Sequence, residues 1–123
     1  MNLHCSDAAY EKLKHYVQEP KAALYACYFL VEALQRAEQK PAECEIYFWV
    51  AEAMHPDARD EKRFEELQPL KKEIQESCFL ERLVDAQLVG KQLPERNRTT
   101  LYSLTALGRE VAGELVGLMS CEE

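Results

Sequence analysis

Glycine and proline are scarce in this chain, at 4 and 5 of 123 residues, which excludes collagen and flexible low-complexity linkers. Long apolar runs are missing too. The longest uncharged one, Ala22 to Val31, spans ten residues, about half of the roughly 20 that a bilayer-spanning helix requires. The opening Met1-Asn2-Leu3-His4-Cys5-Ser6-Asp7 has no basic stretch followed by an apolar one, so no secretory leader is expected and a cytoplasmic location is. Cysteines number five, an odd count without any Cys-x-x-Cys pair, and His4, His15 and His55 complete no zinc-ligand spacing. No metal site is expected. There is no phosphate-binding glycine loop and no nucleophile elbow, so the expectation is a protein without catalytic residues or cofactor, not an enzyme.

Enough apolar material is present for one core: 47% hydrophobic against 30% charged residues. The net charge is −7, a sign that repels polyanions when spread evenly. It is not spread evenly. Between Gly90 and Arg109, Lys91, Arg96, Arg98 and Arg109 oppose only Glu95, a local +3 that leaves −10 on the other 103 residues. Such a patch either holds a polyanion locally or solvates a loop.

Prolines at 20, 41, 56, 69 and 94 mark element boundaries. Ser6 and Asp7 are N-cap candidates for a helix to about Gln18. Lys21 to Gln39 reads as a helix apolar nearly all round, which must be covered on more than one side. Ala42 to Met54 reads as a third helix, with a buried strand as the alternative because Ile46, Tyr47, Phe48, Trp49 and Val50 cluster. Ala58 to Gln68 reads as a short charged helix and Leu70 to Ala86 as an amphipathic one. Cys27 and Cys78 fall inside apolar stretches, where free cysteines behave as small buried hydrophobes. Leu88 to Leu93 and Thr99 to Leu104, joined by Pro94-Glu95-Arg96-Asn97-Arg98, read as a β-hairpin. Thr105 then caps a helix from Ala106 to about Met119, weakened by Gly108, Gly113 and Gly117, each by about 1 kcal/mol relative to Ala.

The run Leu80-Glu81-Arg82-Leu83-Val84-Asp85-Ala86-Gln87-Leu88-Val89 resembles the end of the recognition helix and first wing strand of the MarR and PadR groups of bacterial transcription regulators. Leu101-Tyr102-Ser103-Leu104-Thr105-Ala106-Leu107-Gly108-Arg109 is similar to their second wing strand turning into the next helix, where Leu-Thr-x-x-Gly-Arg recurs. The resemblance covers about Leu80 to Leu115, under a third of the chain. It implies a mainly α winged helix-turn-helix with a small two-stranded wing. Residues 1–123 would be a single winged-helix domain carrying a helical, dimerising extension over about 1–55. A homodimer would cover the apolar surplus of Lys21 to Met54 and set two wings on one double-stranded DNA. Lys91, Arg96, Asn97 and Arg98 would grip DNA from the wing, and Lys71, Lys72, Gln75 and Ser77 from the recognition helix. Arg109 would brace the wing rather than touch DNA.

Three features depart from the resembled pattern. Glu73 and Glu76 share the reading helix, Gln87 stands where a glycine is expected before the first wing strand, and Pro69 interrupts the supporting segment. The alternative is a winged-helix protein–protein interaction module that does not bind DNA. Phe79 would be its anchor, unless that ring is a core residue of a helix with two buried edges. The aromatics Tyr25, Tyr28, Phe29, Phe48 and Trp49 could enclose a small effector or simply form core.

Overall fold

The computed structural model describes residues 2–4, 6–36, 40–54, 61–92, 100–118 and 120–122. Its elements run β1 (Asn2–His4), α1 (Asp7–Lys14), α2 (Pro20–Gln35), α3 (Glu43–Met54), α4 (Glu61–Glu76), α5 (Phe79–Asp85), β2 (Val89–Gln92), β3 (Leu101–Leu104), α6 (Ala106–Leu118) and β4 (Ser120–Glu122). The chain is thus mainly helical, with two small antiparallel pairs, β1–β4 and β2–β3.

Ser6 starts α1 by accepting the Ala9 N–H at 3.2 Å, while its hydroxyl donates to the Leu118 carbonyl and ties the helix to the end of α6. α1 stops at Lys14, short of the expected Gln18, because Pro20 disfavours helical backbone just ahead of it and instead opens α2. The Glu19 carboxylate caps α2, accepting the Ala22 N–H at 2.6 Å.

Helix α2 is the centre of the molecule. Ala22, Ala23 and every residue from Tyr25 to Val31 are buried, because α1, α3, α5, α6 and β3 all pack against it. The apolar surplus of Lys21 to Met54 is therefore covered inside the chain. α3 is a helix and not a strand: Ile46 and Val50, and Tyr47 and Ala51, bury as i,i+4 pairs on one face. One hydrophobic cluster extends from Ala9 to Leu115.

The largest departure from expectation lies between residues 61 and 85. Pro69 sits inside α4 without ending it. It is exposed, so the carbonyl its missing N–H leaves unpaired lies on the solvent side, where water can serve it. The helix breaks instead at Ser77-Cys78. The Ser77 hydroxyl donates to the Ile74 carbonyl at 2.6 Å and accepts the Phe79 N–H at 3.4 Å, closing one helix and opening the next. Cys78 turns the chain in a left-handed conformation, φ 56°, and this re-phases the apolar stripe so that Phe79, Leu80 and Leu83 point inward. The same turn exposes Cys78, contrary to the buried role expected from its apolar surroundings; Cys27 is buried as expected. Phe79, 1% exposed, meets Tyr25, Phe29 and Tyr47 edge-on at centroid distances of 6.4, 5.9 and 6.1 Å. It is core.

Candidate nucleic-acid interface

The hairpin forms close to where the alternating residues place it. Val89 pairs with Leu104, Gly90 with Ser103, Lys91 with Tyr102 and Gln92 with Leu101. The free edge of β3 is not left open. Ala42 bridges to Leu101, and the Tyr102 N–H donates to the Pro41 carbonyl at 3.0 Å. The connection between α2 and α3 thereby covers an edge that would otherwise invite other chains. Nothing local in the sequence signals this long-range contact.

Behind the hairpin, Thr105 joins three elements. Its N–H donates to the Leu88 carbonyl at 3.1 Å and its hydroxyl to the Gln87 carbonyl at 2.6 Å. The same hydroxyl accepts the Gly108 N–H at 3.0 Å, which caps α6. This contact is possible only because residue 108 is glycine: a Cβ there would lie 1.9 Å from the Leu88 oxygen. The Leu-Thr-x-x-Gly run is thus a clamp that sets the hairpin against the last helix.

Gln87, at the start of the wing, has φ 65°, the left-handed region that glycine occupies without strain. The residue expected to be glycine is thus in a glycine conformation. Gln87→Gly is expected to raise stability by about 0.5–1 kcal/mol, since relief of the left-handed cost exceeds the added freedom of the unfolded chain. Urea unfolding with an unchanged slope and a higher midpoint is the expected reading.

The expected DNA-contact residues separate into three groups. Lys91 is exposed on β2. Arg96, Asn97 and Arg98 lie outside the described residues. The four on the supposed reading helix all fall on α4 or the turn after it, not on α5. Lys72 and Gln75 are exposed, but Glu73 and Glu76 are exposed beside them. Lys71 is half-buried with its ammonium 4.4 Å from the Phe48 ring centre, engaged with α3. The Ser77 hydroxyl is committed to its helix ends. Among the described side chains of α4, the exposed charges are Lys72, Glu73 and Glu76, one cation against two anions.

Two basic groups near the wing need separate mention. Lys40 reaches Gln92, its Nζ donating to Oε1 at 3.3 Å, and so adds a cation at the end of the hairpin next to the connection between its strands; sequence reasoning missed it because the contact depends on the Ala42 bridge. Arg109 is exposed and borders a small cavity of about 30 Å³ between Phe29, Leu34, Tyr102 and Leu104.

Of the aromatic residues considered for an effector, Tyr25 and Phe29 pack on Phe79, and Phe48 packs on the Lys71 ammonium. The Arg36 guanidinium lies 4.5 Å from the Trp49 ring centre. Tyr47 donates its hydroxyl hydrogen bond to the Glu43 carboxylate at 2.5 Å; burial first, and this carboxylate second, raise its pKa far above the ordinary tyrosine value. Among the described residues no group of three His, Cys, Asp or Glu is placed to hold a metal ion. No helix among them is long and apolar enough to cross a membrane. Comparisons with protein-family models, curated proteins and solved structures found no match for this chain.

Proposed function

We propose that this protein is a winged-helix regulator that binds double-stranded DNA chiefly through its hairpin. The observation that carries the reading is the order of elements around β3. A helix (α2), a strand-like bridge at Ala42, two further helical segments (α3, then α4 with α5) and the β2–β3 ribbon follow one another, with β3 between Ala42 and β2. That order is compatible with a winged helix and supports the reading, and Thr105 and Gly108 hold the ribbon to α6. Lys40 and Lys91 stand at the end of the ribbon next to the connection between its strands, and the sequence of that connection supplies Arg96 and Arg98. Arginine suits such a wing because its planar fork binds phosphate and fits a narrow minor groove.

The α4 face, with Glu73 and Glu76 outward, argues that backbone contacts from the wing dominate over reading of bases by that helix. A second copy is not needed to cover α2 and α3, which the chain covers itself; a homodimer enters the proposal only through the two-fold symmetry of duplex sites.

Fluorescence anisotropy with a random duplex of about 30 base pairs at low salt tests this, with dissociation constants of about 1–100 µM expected for backbone-led binding. Arg96→Ala combined with Arg98→Ala is expected to weaken binding to all sequences alike. It should also flatten the logarithmic salt dependence by about 2, since each lost phosphate contact removes about 0.9 of slope. Parent-like binding by that variant would show the wing to be idle. Absence of binding by the parent at about 100 µM would favour the second reading, a winged-helix interaction module, which the anionic α4 face and the −7 net charge support.

A further inference from the structure

Only Ser77 and Cys78 separate α4 from α5, and the break holds neither glycine nor proline. Its backbone is correspondingly strained. Cys78 occupies the left-handed region, φ 56° and ψ 30°, which a residue with a Cβ disfavours. It stands at the N-cap of α5, yet its side chain gives that helix no capping hydrogen bond among the described residues. The Cys78 N–H reaches back only three residues, to the Gln75 carbonyl at 3.2 Å. The Phe79 N–H meets the Ser77 hydroxyl at a long 3.4 Å. One uninterrupted helix from Glu61 to Asp85 would abolish the left-handed residue. It would also bring the N–H groups of Phe79, Leu80 and Glu81 onto the carbonyls of Gln75, Glu76 and Ser77.

The direction of the apolar side chains forbids that helix within a single closed chain. Ile74 is buried where α4 packs on α3, and Phe79 and Leu83 are buried on α5, which packs on α2. At about 100° per residue, Phe79 would lie about 140° and Leu83 about 180° round a straight helix from Ile74. Opposite faces of one rod do not enter one core. Two cores, one on each side of the rod, accept both faces.

We propose that the Ser77–Cys78 break is a hinge whose straightening exchanges the segment from α5 through β2, β3 and α6 between two copies of this chain. In the exchanged dimer Phe79 of each copy enters the Tyr25, Phe29 and Tyr47 cluster of the other, and each α6 covers the other's α2. The interface is the one already formed inside the closed chain, so no new surface is required. Two quantities then set the balance. A tethered segment meets its own core at an effective concentration of about 1 mM. Release of the left-handed residue and recovery of regular helix bonds favour the straight hinge by about tenfold per chain. The expected dissociation constant of the dimer is therefore about 10 µM.

The test refolds the full chain from urea, reduced and without nucleic acid, at about 100 µM, well above that constant. Its outcome is thus independent of duplex binding. Sedimentation should report a dimer. Isotope-filtered Overhauser contacts in co-refolded labelled and unlabelled chains should join Phe79 of one copy to Phe29 and Tyr25 of the other, rings whose centres lie 5.9 and 6.4 Å from it in the closed chain. Cys78→Gly relaxes the bent hinge and weakens the straight one, and should raise the dissociation constant about a hundredfold, tenfold from each hinge. Cys78→Ala keeps the left-handed cost and improves the helix, and should lower it about tenfold. Both variants lack the thiol, so opposite directions separate the hinge from any disulfide. Ser77→Ala, which removes the hydroxyl bonded to Ile74 and Phe79 at the bend, should also tighten the dimer. A parent that stays monomeric at about 100 µM after refolding would overturn the exchange. So would a dimer whose Phe79 contacts stay within each copy, or glycine and alanine variants of equal affinity.

Discussion

Gly108→Ala is expected to destabilise the fold strongly. An alanine in a helix normally stabilises by about 1 kcal/mol over glycine. At this position the added carbon would meet the Leu88 carbonyl, 1.9 Å from its oxygen and 2.9 Å from its carbon. Both are backbone atoms and cannot swing away. To relieve the contact α6 must retreat from the wing, which breaks the Thr105 bonds to Gln87 and Leu88 and uncovers Val111 and Leu115. A loss of about 3 kcal/mol or more is expected, at the upper end of overpacking effects, read as a lower urea midpoint and a lower melting temperature. Gly113→Ala and Gly117→Ala are the controls. Nothing lies within 4 Å of the added carbon at either, so each should gain about 0.5–1 kcal/mol from helix propensity alone. If all three behaved alike, the close approach of α6 to Leu88 would be wrong.

The second large effect belongs to Phe79→Ala. The ring lies among Tyr25, Phe29 and Tyr47, in the cluster where α2, α3 and α5 meet. Removing it deletes the buried area and three edge-on contacts and leaves a hole that helices on three sides cannot close together. A loss of about 3–5 kcal/mol is expected, a large share of a total of about 5–15 kcal/mol. Loss of near-ultraviolet circular dichroism from the neighbouring tyrosines should accompany it. Phe79→Leu, which keeps most of the volume, should cost clearly less. An alanine variant as stable as the parent would mean that the side chain serves a partner and not the core.

Elements whose determinants are local were legible in the sequence. The hairpin strands, read as Leu88–Leu93 and Thr99–Leu104, appear as Val89–Gln92 and Leu101–Leu104, and α6 ends one residue before the expected Met119. Alternation, a polar connection and a threonine cap lie within a few residues of what they control. The α4–α5 break was not legible. Pro69 advertised an interruption that solvent exposure made unnecessary, while the real one, at Ser77-Cys78, carries neither glycine nor proline. Contacts between distant segments left no trace in the local pattern either. β1 pairs with β4 through Leu3 and Cys121, Ala42 bridges to Leu101, and Lys40 reaches Gln92.

The candidate site divides along the same line. Lys91 was legible because it lies on a ribbon set by alternation. Lys71 was expected on a DNA-reading helix from the resemblance, and it rests over Phe48, a partner visible only once α3 and α4 are packed.

The burial of α2 beneath α6 has a bearing on how the chain acquires its structure. Roughly seventy residues of synthesis separate the two partners, so the side of α2 that faces α6 waits uncovered while most of the polypeptide is still emerging. The hairpin and α6 are neighbours in sequence and can associate rapidly by themselves, whereas their docking onto α2 carries the entropic burden of a long loop. Nascent chains are therefore most vulnerable to aggregation through Tyr25 to Val31, and a chaperone that shields that stretch would speed recovery of the native state more than one acting on the hairpin.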